Sequence, residues 1–270
     1  MMDEINSLWK IVAIFLVLSM QAGFLLLEGG RVRSKNSVNV AQKNVTDLVV
    51  TWIGFLAVGF ALMYGVSIPE LLGSESSTKA SPDVLDFLFQ FCFCCTTATI
   101  VSGAVSERIS FRAYIVLVMV IAAVAYPIAG RLIWGNSYDE NAFAPLANLG
   151  FIDFAGATVV HGVGAWFGLV TLYLIGPRNG RFDENGEVQP FAAHNSVIAL
   201  FGVLLLLFGW IGFNAGALSI DSPFLKLVIF NTISAAVFGA SSGMLIGSWL
   251  DKGIFNPLCV NLKPDNHCLG

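Results

Sequence analysis

The sequence predicts an all-α fold, a polytopic membrane helix bundle, and three observations carry that prediction. The 270 residues are 56% hydrophobic and only 12% charged, against about 25% charged in an ordinary soluble domain. Apolar runs of about 18 residues or more, long enough to cross the roughly 30 Å hydrocarbon core as helices, recur along nearly the whole chain. Those runs are continuously apolar, without the alternating pattern of outer-membrane strands, which excludes a barrel.

The first span, Trp9 to Leu27, follows an acidic start, Met1-Met2-Asp3-Glu4. A cleavable secretory signal is basic there, so this run is expected to remain as a spanning helix. Val45 to Tyr64 and Val84 to Val105 follow. Cys92, Cys94 and Cys95 lie inside the third run, and with Cys259 and Cys268 they fit neither zinc spacing nor a disulfide framework. They read as small apolar fillers. The fourth span, Ala113 to Trp134, ends on an aromatic suited to the membrane interface. The fifth, Thr158 to Ile175, follows Asp153 and contains His161. Ser196 to Phe213 and Val228 to Leu250 complete seven crossings, and small residues at helical spacing, Gly209, Gly212 and Gly216 then Gly239, Gly243 and Gly247, favour close helix packing. Gly239-Ala240-Ser241-Ser242-Gly243 fits G-x-S-x-G, but an apolar helix is the wrong setting for a nucleophile elbow.

Positively charged connections stay cytoplasmic. Arg31, Arg33, Lys35, Lys43, Arg108, Arg112, Arg178, Arg181, Lys252 and Lys263 fall on one side of this pattern and Lys10, Lys79, Arg131 and Lys226 on the other. The N-terminus is therefore expected outside and the C-terminus inside. The outer connections are rich in acids (Glu70, Glu75, Asp83, Asp86, Asp139, Glu140 and Asp221) and would draw cations to the outer mouth. No basic patch for nucleic acid is present.

Function is expected where ionisable groups meet membrane depth. Asp153 can accept backbone N–H groups at the start of the fifth span, and a fixed negative charge there also stabilises an approaching cation. On a regular helix His161 would lie about 12 Å deeper, within roughly 80° of the same face. Its imidazole can relay a proton given up by an acidic cation. Phe93 and Trp134, placed at outer helix ends, offer cation-π faces worth about 0.5–2 kcal/mol.

The stretch Asp153-Phe154-Ala155-Gly156-Ala157-Thr158-Val159-Val160-His161, with Gly164-Ala165, Gly168 and Gly176-Pro177-Arg178, resembles the signature of the ammonium transporter (Amt/Rh) superfamily. Met20-Gln21-Ala22-Gly23-Phe24, Val32-Arg33-Ser34-Lys35-Asn36, Ser106-Glu107-Arg108-Ile109-Ser110-Phe111 and Gly209-Trp210-Ile211-Gly212-Phe213-Asn214-Ala215-Gly216 extend the resemblance in family order. It implies a homotrimer of eleven-helix protomers in the cell (cytoplasmic) membrane, each with a narrow pore between two inverted repeats. The implied cargo is ammonium or ammonia, the implied surroundings the lipid bilayer, and no cofactor or metal is implied. By position, Phe93 and Trp134 with Asp153 beneath them would recruit ammonium, Phe89 and Phe213 would gate the pore, and His161 would be the first of two pore histidines.

Two departures accompany the resemblance. Ala217 stands where many members carry a serine that hydrogen-bonds ammonium, and Ala157 where glycine or serine is usual. Residues 1–260 are expected to supply seven of the eleven helices, and 261–270 a polar tail foreign to the fold. On that reading the chain is an N-terminal portion of a longer protein and lacks the helices bearing the second histidine, with neither His194 nor His267 placed to replace it. Three functional readings stay open: a transporter, an ammonium-sensing membrane domain of a signalling protein, and a non-conducting fragment. A retinal protein would need a lysine inside the last span, and Val228 to Leu250 has none. No nucleophile-base pair or metal cluster supports an enzyme.

Overall fold

The computed structural model describes residues 1–73 and 82–250. Seven helices dominate: α1 (Met2–Arg31), α2 (Ser34–Tyr64), α3 (Val84–Val105), α4 (Phe111–Trp134), α5 (Ala157–Ile175), α6 (Ser196–Ala215) and α7 (Leu225–Leu250). Each is long and apolar enough to span a bilayer, as an integral membrane protein requires. The bounds of α3 coincide with the expected run. Its start is fixed by a capping box in which Asp83 accepts the Asp86 N–H and the Asp86 side chain accepts the Asp83 N–H.

Helix α3 is the central post, lined with Phe87, Phe89, Phe91 and Phe93, and α1, α2 and α5 pack around it. The α1–α6 interface is built on glycine. A Cβ on Gly202 would lie 2.5 Å from both the Gly23 carbonyl oxygen and the Leu27 nitrogen, so the two backbones approach closely only because neither side carries a side chain there. Gly209 and Gly212 continue the seam against Met20, Leu16 and Ala13. The expected packing role of Gly239 and Gly243 finds no partner within the described chain, since a Cβ at either position would meet nothing within 4 Å. Around them α7 exposes Phe230, Phe238 and Trp249, a surface suited to hydrocarbon.

Two π-helical turns, Phe55–Gly59 in α2 and Ile121–Ala125 in α4, pack on each other through Gly54, Gly59 and Ala122. Such a turn inserts an extra residue and rotates the face that follows it.

The structure corrects one span and one charge. Helix α2 starts at Ser34 rather than Val45, and Lys43, expected in an inner connection, is 2% exposed within the bundle. Polar residues with partners on other helices had lowered the local hydropathy without breaking the helix. Three conspicuous sequence motifs converge at one end of the bundle: Glu107 accepts from Arg33 Nε at 3.0 Å and from Asn36, and its Oε2 lies 3.2 Å from an Arg178 nitrogen. Glu107 itself sits at φ +66°. At the opposite end Lys10 pairs with Asp86, and Trp9 donates to the Leu218 carbonyl at 3.1 Å. Lys79, Lys252, Lys263, Cys259, His267 and Cys268, and with them the tail 261–270, lie outside the described residues.

Candidate functional site

The site is assembled from a broken helix start, an aromatic stack and the cleft between α5, α6 and α7. Gly156 takes φ +86°, a left-handed conformation that L side chains rarely adopt, and this ends the loop so that α5 can begin at Ala157. Asp153 then closes over the helix start. Its Oδ1 accepts the N–H groups of Gly156 (2.8 Å) and Ala157 (2.9 Å), and its Oδ2 those of Thr158 (2.8 Å) and Val159 (2.9 Å). Four orphan donors at the positive end of the helix are satisfied by one buried carboxylate. The Trp134 indole Nε1–H donates to the Asp153 carbonyl at 2.7 Å, tying the end of α4 to the same turn.

The first turn of α5, Ala157–Gly162, is π-helical. The Gly156 carbonyl accepts N–H from Val160 (2.9 Å) and His161 (3.0 Å), and His161 Nδ1 lies 3.3 Å from the same oxygen. A carbonyl can only accept, so in the tautomer that satisfies this contact Nδ1 carries the hydrogen and Nε2 keeps its lone pair. The regular helical rise assumed from sequence therefore does not separate Asp153 from His161, because Asp153 precedes the helix and a wide turn follows it. Both residues line one cleft of about 510 Å³, with Phe213, Asn214, Asn231 and Thr232. Asn214 Nδ2 donates to Thr232 Oγ1 at 3.0 Å, linking α6 to α7 across it.

Phe93 and Phe213 stack with centroids 4.0 Å apart and planes 9° from parallel. Phe89, one turn before Phe93 on α3, tilts against it at 4.6 Å, and Trp134 lies 6.3 Å from Phe93. His161 meets Phe213 at 5.5 Å and 71°. All six expected residues thus gather around one site, but not in the expected pairs. Phe93 lies midway along α3 rather than at its outer end, and its face is occupied by Phe213. Phe89 is the ring nearer the α3 start. His194 is remote from this group, at the α1 end, where its N–H donates to the Val32 carbonyl at 3.0 Å. Ala217 is exposed just past α6.

Asn231 and Thr232 were missed as cleft residues. Small polar residues inside an apolar helix were the available signal, but sequence alone does not say which face of α7 meets α5. The buried Glu28, Lys43 and Asp47 were also missed; the spacing of Lys43 and Asp47, four residues apart, placed them on one helix face.

The sequence profile of the Ammonium Transporter Family matches residues 8–261. The chain is 39% identical over 258 residues to ammonium transporter Amt2 of Archaeoglobus fulgidus, covering 92% of this chain and 55% of that one. Among solved structures it resembles a sensor Amt protein, with 36% identity, a TM-score of 0.85, and coverage of 94% of this chain and 64% of that one. Candida albicans Mep2 gives 26% identity and a TM-score of 0.79, with coverage of 94% and 57%. The chain spans about half the length of the curated relatives it matches.

Proposed function

Because the chain belongs to the ammonium transporter family, we propose that it forms part of a path by which ammonium or ammonia crosses a membrane. The observation that carries this reading is the order of groups at the site. Trp134 and Phe89 stand on the side of the helix end, the Phe93–Phe213 stack follows, and His161 lies against Phe213 with a free Nε2.

In this reading the roles of the two α3 phenylalanines are exchanged relative to the sequence expectation. Phe89 and Trp134 attract the cation by their ring faces, and Phe93 with Phe213 forms the gate. The carboxylate of Asp153 is committed to four N–H groups, so it acts on the cation as a fixed charge and by holding the α5 turn in place. His161 Nε2 takes a proton from ammonium in the constriction, and ammonia continues. Discrimination follows from solvation. Potassium has no hydrogens to offer imidazole and pays its desolvation uncompensated, whereas ammonium can transfer its proton.

The protein is proposed to lie in the cell membrane with its N-terminus outside and to assemble as a homotrimer. Among the described residues, Arg31, Arg33, Lys35, Arg108, Arg112, Arg178 and Arg181 favour that orientation over Lys10, Arg131 and Lys226.

A second reading is ammonium sensing, favoured by the similarity to a sensor Amt protein. There, occupancy of the cleft matters and flux does not. Growth of cells lacking their own ammonium uptake, at limiting ammonium, separates the two. Rescue by this chain, lost in His161→Ala, supports transport. Absence of rescue with ammonium binding retained by the purified chain contradicts transport by this chain and fits sensing or a non-conducting fragment.

A further inference from the structure

Remote from the aromatic gate, α1, α2, α3 and α4 enclose a second set of ionisable groups that the transport reading does not use. Glu28 from α1 is 8% exposed, and Lys43 and Asp47 from α2 are 2% and 0% exposed. Around them stand Gln21, Asn44, Thr99, Ser102, Ser106 and Tyr114. None of these side chains lines the His161 cleft.

The charge count points to one missing positive charge. Two carboxylates face one ammonium group, leaving a net charge of −1 inside an apolar bundle if all three are ionised. Uncompensated charge at that depth costs several kcal/mol. Further towards the bundle end, Glu107 with Arg33, Arg178 and Arg108 also faces Lys43, but Arg33 and Arg178 are about a quarter exposed and solvent-screened. From α3 Cys95, and from α4 Tyr114, face Asp47 as neutral groups.

The hydrogen bonds bear on the same carboxyls. Thr99 Oγ1 lies 2.8 Å from the Gln21 side-chain amide and 3.2 Å from Asp47 Oδ2. Ser106 Oγ faces Glu28 Oε2 at 3.2 Å and the Ser102 carbonyl at 2.9 Å, and Lys43 Nζ lies 3.4 Å from both Ser106 Oγ and that carbonyl. Glu28 Oε1 and Asn44 Oδ1 are buried acceptors with no donor, and Gln21 Nε2 is a buried donor with no acceptor. A proton on Glu28 supplies the hydrogen that its unpaired oxygen lacks, and it needs no space in a tightly packed cluster.

We propose that the Glu28–Lys43–Asp47 cluster is an interior proton-holding site carrying one exchangeable proton shared between its two carboxyls. Charge balance makes the test specific. Infrared spectra of the full chain in lipid at neutral pH should show a protonated-carboxyl carbonyl band that shifts in D2O. Glu28→Gln or Asp47→Asn leaves one carboxylate against Lys43, so the band should disappear in either. Lys43→Met removes the ammonium group between the two carboxyls' hydrogen-bond networks, so both carboxyls are expected to be protonated and the band should double. Absence of an exchangeable band in the unmutated chain, or a band of unchanged size in Lys43→Met, would overturn the proposal. Carbon-13 labelling of glutamate or aspartate carboxyls in the unmutated chain keeps the question open to measurement if a variant fails to fold: the band should move with both labels, and a band that moves with neither contradicts the site.

Discussion

The ring of Phe93 lies on that of Phe213 at 4.0 Å, and the His161 imidazole meets Phe213 at 5.5 Å. Residues 120 positions apart in the chain thus form one continuous wall from Phe93 to His161. A stacked aromatic pair is worth about 0.5–1.5 kcal/mol beyond its area burial, roughly a two- to tenfold bias towards the closed arrangement. In a His161→Cys background, Phe213→Ala should therefore speed labelling by a charged thiol reagent added from outside by about that factor. Equal labelling rates with and without Phe213 would remove the stack from the role of gate.

Asp153 gives a graded stability prediction. Its two oxygens serve four N–H groups. Asparagine keeps one acceptor oxygen and alanine keeps none. With charged hydrogen bonds worth about 1.5–3 kcal/mol each, Asp153→Ala should lower the unfolding temperature more than Asp153→Asn, and both should fall below the unmutated chain. Thermal unfolding in detergent gives the order; equal midpoints for Ala and Asn would contradict it.

Gly156 tests the turn that sets His161. At φ +86° a side chain costs about 1–2 kcal/mol, and its Cβ would sit 2.6 Å from Val160 Cγ2. Gly156→Ala should destabilise the protein by roughly that amount and displace His161, read as a shifted imidazole resonance. An unshifted resonance would show that the π turn does not depend on this glycine.

Glu107 carries a pH dependence. Burial alone would raise its pKa, but the hydrogen bonds from Asn36 and Arg33 and the charge of Arg178 outweigh that and hold it below its ordinary 4.5. A depressed carboxyl contributes stability that is fully present above the unfolded value and is lost as pH falls through the folded one. The unmutated chain should thus lose this contribution on acidification below about pH 4.5, and Glu107→Gln should be less stable at neutral pH with a flatter acid limb. Parallel stability profiles for the two proteins would rule this out.

Sequence legibility divides along physical lines. Helix α3 was read to the residue because its hydropathy is uniform and its start is capped locally. The first turns of α2 were read as a connection because Asn36, Lys43 and Asn44 look like loop residues until Glu107, Ser102 and Glu28 are brought to them from elsewhere in the chain. The helix-start role of Asp153 was visible from its position before an apolar run. The π turn was not, since it depends on the left-handed Gly156. The resemblance brought Phe89 and Phe93 to one region, but that Phe93 and not Phe89 stacks on Phe213 depends on the contact between α3 and α6.

The central claim is that His161 accepts the proton of ammonium on the far side of the Phe93–Phe213 stack. Ammonium-evoked charge displacement and internal pH change in proteoliposomes, compared between the unmutated chain and His161→Ala at equal protein density, test it most directly. The account predicts an ammonium response in the unmutated chain that falls to the level of empty liposomes in His161→Ala. An undiminished response without the imidazole would contradict it.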